Sequence, residues 1–468
     1  MPTENLAAYE AYLLGKQRMA KVNRAALTEA VAYFERAIEL DPDFALAHVG
    51  LADGYIWLVG RGDLPLEEAL AKAQVAVDKA LTLDDRLGEA YNSLAGIKHD
   101  RNDYEGAEAA YRRALELNPN YATAYSWYAN LLEIGNLNRP EEGLALLRKA
   151  VELDPLSADV IASVGYSHLF LGHFQEDLAW FEKAIEIDPS FARAYISIGE
   201  HYLFASGQLD EALVWFAKGM SHDPGLLGAP VYMGFLFLDL GDLDRAEYWI
   251  ERSIELGPET YWPNIAMQLL HLYRGEDVRA LDYGRKASAL WPSQWPGLAL
   301  LRDHEFRRGR YAEARALYEK AYPELLNEDD PKVVGRNWRA ATDLALVLSK
   351  TGEQERANLL LEQSFRRFQT MPRRSPPDEI REVKIYALRG DKQKALSALR
   401  QAIDEGWRSF WWYYLKRDPN LESLHGEPEF QAMVAEIEAD MAEQLARVRE
   451  MERNGELEPI PEVSATAQ

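Results

Sequence analysis

Residues 151–190 read VELDPLSADVIASVGYSHLFLGHFQEDLAWFEKAIEIDPS. Pro155 and Pro189 stand 34 residues apart, each closing an acidic-hydrophobic phrase. Proline lacks the amide hydrogen a helix interior requires, so each one stops a helix. Between them, Gly165 sits where two helices approach closely and Gly172 ends the first. Phe181 and Ala184 pack from the second. The phrase recurs outward, and Pro119, Pro155, Pro189, Pro224, Pro258 and Pro292 follow one another at 36, 34, 35, 34 and 34 residues. So regular a period implies one helix pair copied along the chain, not a single large core.

Walking outward from this centre assigns the remaining pairs. The first covers about residues 6–40, where Ala30, Phe34 and Ala37 form one buried stripe. The second is longer, and its surplus falls around Gly60, Gly62 and Pro65, the composition of an extended loop. Pairs three to eight run regularly to Pro292, with two surplus residues absorbed by a turn at Gly135. Pair nine ends at Pro323, residues 327–337 form an acidic connector, and pair ten follows to about residue 370. MPRRSPPDE (371–379) reads as a hinge before pair eleven. The expected division is a regular array over 1–323, divergent pairs over 324–406, an aromatic cap with a last helix over 407–455, and a disordered tail over 456–468.

The period near 34 and the placement of Gly165, Phe181, Ala184 and Pro189 resemble the tetratricopeptide repeat. The expected fold is all-α: a right-handed superhelical solenoid of about eleven helix pairs with a carboxy-terminal capping helix.

Composition narrows the function. With 76 acidic and 52 basic residues the net charge is −24, which repels phosphate backbones, so no nucleic-acid partner is expected. There are no cysteines, which excludes disulfides, thiolate nucleophiles and cysteine-held metals. The nine histidines are spread about one per repeat without an HxxxH pair, so no metal site or cofactor is expected. His168 and His271 share helical stripes with apolar residues, which packing explains. MPTENLAAYEAYLL lacks the basic and apolar blocks of a secretory signal, and no 18 consecutive residues are apolar, so no membrane insertion is expected. No glycine-rich phosphate loop or catalytic constellation is seen; GRGDLP at Gly60 lacks the lysine. The chain reads as a non-enzyme.

Stacked pairs leave a concave groove lined by their first helices. The repeat register places Asn92, His99, Ser126, Asn130, Tyr166, Phe170, Arg193, Glu200, Phe204 and Phe235 toward it. Aromatics mixed with hydrogen-bonding groups suit a protein or peptide partner. The basic set with which one tetratricopeptide subtype clamps a terminal carboxylate is not found. Trp407, Phe410, Trp411, Trp412, Tyr413 and Tyr414 form an aromatic cluster read either as a cap on the final pair or as a contact patch. Met433, Ile437, Met441 and Leu445 form one stripe, which would dock on the array or self-associate.

Four phrases carry a closer resemblance: LAAYEAYLLGKQ (6–17), AIELDPDFALAHVGLADGY (37–55), ALELNPNYATAYSWYANLL (114–132) and DPNLESLHGEPEFQAMVAEIEADMAEQLARVREME (418–452). They are similar to the repeat half of bacterial signalling proteins. In those, a winged-helix domain, adenylate cyclase or kinase precedes a membrane span and the array. The resemblance implies an input or interaction module, cytoplasmic if free-standing and periplasmic if it is the sensory half of a membrane-anchored regulator. A scaffold that binds a partner in the groove is the first reading. The sensory half of a regulator and a structural subunit of a larger assembly are the alternatives.

Overall fold

A computed structural model describes residues 3–20, 24–58, 66–133, 137, 139–226, 228–257, 260–291, 294–327, 331–334, 337–370 and 380–459. The expected loop around Gly60, Gly62 and Pro65, the turn at Gly135, the hinge over 371–379 and residues 460–468 of the expected tail lie outside them. So do Pro258 and Pro292 and part of the 327–337 connector.

Helices follow one another in antiparallel pairs, with no strand among the described residues. The first four pairs are α1 (Leu6–Met19) with α2 (Arg24–Leu40), α3 (Ala45–Leu58) with α4 (Leu66–Leu83), α5 (Gly88–Asp100) with α6 (Tyr104–Leu117), and α7 (Ala122–Glu133) with α8 (Pro140–Leu153). Next come α9 (Ala158–Leu171) with α10 (Phe174–Ile187), α11 (Ala192–Glu200) with α12 (Leu209–His222), and α13 (Gly228–Leu240) with α14 (Leu243–Leu256). Then come α15 (Tyr261–Tyr273) with α16 (Asp277–Leu290), and α17 (Trp295–Arg307) with α18 (Tyr311–Ala321). The last pairs are α19 (Trp338–Lys350) with α20 (Gln354–Gln369), and α21 (Arg381–Leu388) with α22 (Lys392–Asp404). Two helices remain: the short α23 (Trp411–Arg417) and the long α24 (Pro428–Asn454), joined by a 3-10 turn over Pro419–Leu424.

The packing logic is local. Phe181 is fully buried, and a Cβ on Gly165 would lie 2.6 Å from its ring, so only glycine lets α9 close on α10. Gly172 then ends α9 in the left-handed region, at φ 77°.

Pair six departs from this pattern. Gly165 and Gly172 stand seven residues apart, as do Gly234 and Gly241, but Gly199 and Gly207 are eight apart. The surplus residue, visible as the 35-residue step from Pro189 to Pro224, is taken up by a π-helical stretch, His201–Ser206, that continues α11. A widened turn is how a helix absorbs one extra residue without breaking its core face.

The carboxy-terminal residues turn back along the array. The aromatic cluster shares one hydrophobic core with residues from Ile196 to Leu300 and with α21 and α22. Trp407, Trp411, Trp412, Tyr413 and Tyr414 are buried, and Phe410 is partly buried. An exposed contact patch is therefore not what these rings form. Nor do they cap the last pair alone, because Phe410 packs on Phe235 at 5.0 Å and Trp412 on Tyr273 at 4.6 Å. The rings thus lie on the first helices of pairs seven to nine, with the Tyr413 hydroxyl reaching Asp303 of α17.

Helix α24 crosses the array as a strap. Its stripe of Phe430, Met433, Ile437, Met441 and Val448 is buried, with Leu445 partly so. That stripe is therefore committed to the array and is not the free face self-association would require. Buried Gln444 accepts the Leu209 N–H (2.7 Å) and donates to the Gly207 carbonyl (3.0 Å). Arg447 pairs with Asp210, Arg245 with Glu452 and Arg400 with Glu436. Gly406 and Gly207 meet so closely that a Cβ on Gly207 would lie 2.1 Å from the Gly406 carbonyl.

Candidate functional site: the concave face

One register position runs along the first helices, on the face where the repeat register expects a groove. It is the residue after the small one against which the second helix closes: Lys16, Asp53, Asn130, Tyr166, Glu200 and Phe235. The column continues as Asp303 and Lys384, one residue after Arg302 and Val383. Its two halves differ in occupancy.

In the second half the tail lies on the column. Asp239 accepts the Phe410 N–H at 3.0 Å, and its carbonyl accepts the Trp411 indole N–H at 2.9 Å. The Tyr413 hydroxyl donates to Asp303. Beneath these lies a buried ionic cluster. Arg302 stands 2.6 Å from Asp303, 3.2 Å from Asp343 and 3.8 Å from Asp418, and Lys384 stands 2.8 Å from Asp418. Asn420 donates to Asp343 at 2.8 Å, and Tyr318 donates to it at 3.2 Å. Three carboxylates thus share two cations away from water. Burial pushes the Asp303 carboxyl up to about 7 against the pull of Arg302. Burial also acts to raise Asp418, yet Lys384 and Arg302 hold it below the usual range. Burial drives Asp239 well above that range.

In the first half the groove holds side chains alone among the described residues. Glu200 is buried at its floor and accepts from the hydroxyls of Tyr166 and Tyr232. Burial raises its carboxyl and, with the nearby carboxylate, pushes both phenols up. Arg193 bonds Asp159 at 2.7 Å, with its guanidinium 5.4 Å from the Tyr166 ring centroid. Phe204 meets Tyr232 edge-on at 5.9 Å. Farther along, buried Asp53 accepts from Ser93; burial, opposed by Lys16 and the Ser93 bond, pushes its carboxyl up to about 6. Glu89 accepts from Asn118 at 2.9 Å.

Of the residues expected in the groove, Tyr166, Arg193, Glu200 and Phe204 converge in one cluster. Phe170 is half-buried near the end of α9, and Asn130 is exposed on α7. Ser126 is buried, His99 is half-buried with burial lowering its imidazole, and Asn92 is wholly buried on α5. Asn92 therefore belongs to the floor and does not face solvent. Phe235 is a correction: it lies on the column but is covered by Phe410 and Trp262. Tyr232 was not anticipated. Its only signal is a polar ring two residues after Pro230 in an otherwise apolar run. Arg302 also went unread, although an arginine where Gly165 and Gly234 stand in their own pairs is a visible anomaly.

Among the described residues no group of histidines and carboxylates is arranged to hold a metal ion, and no helix is long and apolar enough to cross a membrane. His168 and His271 are buried and bond locally, His168 to His173 at 3.2 Å and His271 to Glu276 at 2.8 Å.

Three segments match known repeat families: residues 96–133 the TPR repeat, and residues 135–190 and 26–44 the tetratricopeptide repeat. The chain is 24% identical over 164 residues to the transcriptional regulator HilA of Salmonella typhimurium, covering 35% of this chain and 28% of the regulator. It is 24% identical over 283 residues to the human protein O-mannosyl-transferase TMTC3, covering 58% of this chain and 31% of the transferase. The chain thus spans less than a third of the curated relatives it matches. The crystal structure of PilW, a type IV pilus biogenesis factor, aligns over 47% of this chain and 96% of its own, at 22% identity and a TM-score of 0.37.

Proposed function

We propose that this chain is a non-enzymatic scaffold that holds a protein or peptide partner on the concave face of its first six pairs. It carries tetratricopeptide repeats in an all-α solenoid, and proteins of this kind generally act as interaction scaffolds. One observation carries the finer reading. The groove column is filled by the chain's own tail in its second half, while in its first half it presents Tyr166, Arg193, Glu200 and Phe204, with Tyr232 of pair seven beside them, without a covering segment among the described residues. On this reading the binding part of the regular 1–323 array is its first six pairs, and residues 324–406 and 407–455 close the rest.

An affinity pull-down from the native organism tests the proposal. The intact chain is compared with one carrying Tyr166→Ala, Phe170→Ala and Phe204→Ala together. Partners that co-purify with the first are expected to be absent from the second. If every partner persists in the triple variant, the groove is not the site.

A second reading is favoured by the match to a transcriptional regulator of which this chain spans a minor part. There the array is the input half of a longer regulator. An immunoblot of native extract, raised against this chain, separates the two. A band well above 53.2 kDa supports the regulator, and a band at that mass supports the free scaffold.

A further inference from the structure

Two buried carboxyls grip the tail, and neither has a cation to itself. Asp239 on α13 is 2% exposed. One of its carboxyl oxygens accepts the Phe410 N–H at 3.0 Å, and the other is buried without a hydrogen-bond partner. No cation pairs with it among the described residues, and the titratable group beside it is Tyr273 of α15. Phe410 itself sits at φ 51°, in the left-handed region that a non-glycine residue adopts only when its surroundings hold it there. The seated tail therefore carries backbone strain that release would relieve.

Asp303 on α17 is the second grip. Tyr413 of the tail bonds it, and Arg302 is the cation at its side. That arginine is shared with Asp343 of α19 and with Asp418 of the tail. Tyr318 of α18 bonds Asp343, and Lys384 of α21 is turned to Asp418. Arg417 pairs instead with Asp277 of α16, at 3.5 Å. Three ionised carboxylates against Arg302 and Lys384 would leave one negative charge unbalanced away from water, which is costly. The cluster balances when one carboxyl keeps its proton, and burial keeps that proton on Asp303 up to about 7.

We propose that the tail is a proton-held latch: residues 407–418 stay seated on the first helices of pairs seven to nine while Asp239 and Asp303 are protonated, and loosen as the two carboxyls ionise.

The sign follows from the two states of each carboxyl. Seated, Asp303 keeps its proton to about 7; freed into water, it releases it near the ordinary value of about 4. Its contribution to closure is complete below about pH 4 and is lost as pH rises through about 7. His304, next to Asp303 and close to Arg308, is lowered by burial and acts in the opposite sense, so variants are read against the wild type.

Hydrogen–deuterium exchange of the full chain, expressed as protection factors over residues 408–418, reads the opening of the latch. In the wild type, protection should fall about fiftyfold or more between about pH 5 and pH 7. In the double variant Asp239→Asn, Asp303→Asn, which keeps both acceptors but cannot ionise, it should change less than about threefold over the same range. Each single variant should lose part of the slope, so the test survives if the double variant does not fold. Protection that holds level in the wild type, or that falls as steeply in the variants, would overturn the latch.

Discussion

Asp53 shows how a single buried residue couples stability to pH. Its carboxyl is buried, and burial raises it from 3.8 to about 6. A raised folded-state value means the native chain keeps a proton that the unfolded chain releases. The associated stability is complete below about pH 4 and lost as pH rises through about 6. Asn keeps an acceptor for Ser93 but cannot ionise. Asp53→Asn should therefore match the wild type near pH 4 and exceed it at pH 8 by about 3 kcal/mol. Hydrogen exchange of α3 and α5 amides at the two pH values measures the difference. Gly165 makes the complementary case of shape. Gly165→Ala drives a methyl to 2.6 Å from Phe181 and 3.1 Å from the Asp177 carbonyl, and should cost about 1–3 kcal/mol. Gly275→Ala meets no atom within 4 Å and should cost about 1 kcal/mol, purely from its positive φ of 75°. Thermal melts of the two variants distinguish crowding from backbone strain.

At the scale of elements, helix pairs were legible and their long-range partners were not. Proline, glycine and the aromatic at the Phe181 position each act within one repeat, so local pattern reveals them. Gln444 and Leu209 are 235 residues apart, and nothing near either advertises the other. The 35-residue step before Pro224 did record the π-helical stretch, but not that Gly207 would meet Gly406 there. The groove was half legible for the same reason. Register puts Tyr166, Glu200 and Phe235 on one column, yet only the tail's path decides that Phe235 is covered. Gln444→Ala should strand a buried N–H and a buried carbonyl, loosening α24 by about 2–4 kcal/mol. Limited proteolysis of α24 should then accelerate while cleavage in pairs one to four stays constant. Truncation after Gly406 should expose the apolar surface around Phe235, Leu236 and Tyr273, and light scattering should detect self-association of the shortened chain.

At the scale of the molecule, the buried cluster of Arg302, Asp303, Asp343, Lys384 and Asp418 joins the first helices of pairs nine, ten and eleven to the tail. Removing one partner from such a cluster leaves buried charge uncompensated. Arg302→Met should destabilise the second half by about 3–5 kcal/mol. Unfolding of a repeat array need not be all-or-none. The expected signature is an early transition reported by tryptophan fluorescence, since Trp407, Trp411 and Trp412 lie there, with the first pairs melting later.

An open stack of helix pairs behaves as a spring, lengthening when pulled by a slight rotation at every joint. Helix α24 runs from α22 to α12 and is bonded at Gly207, Asp210 and Arg245, so it spans that spring like a rigid brace. Extension and recoil are thereby confined to the first five pairs. A partner seated there, as proposed above, would set the curvature of those five pairs.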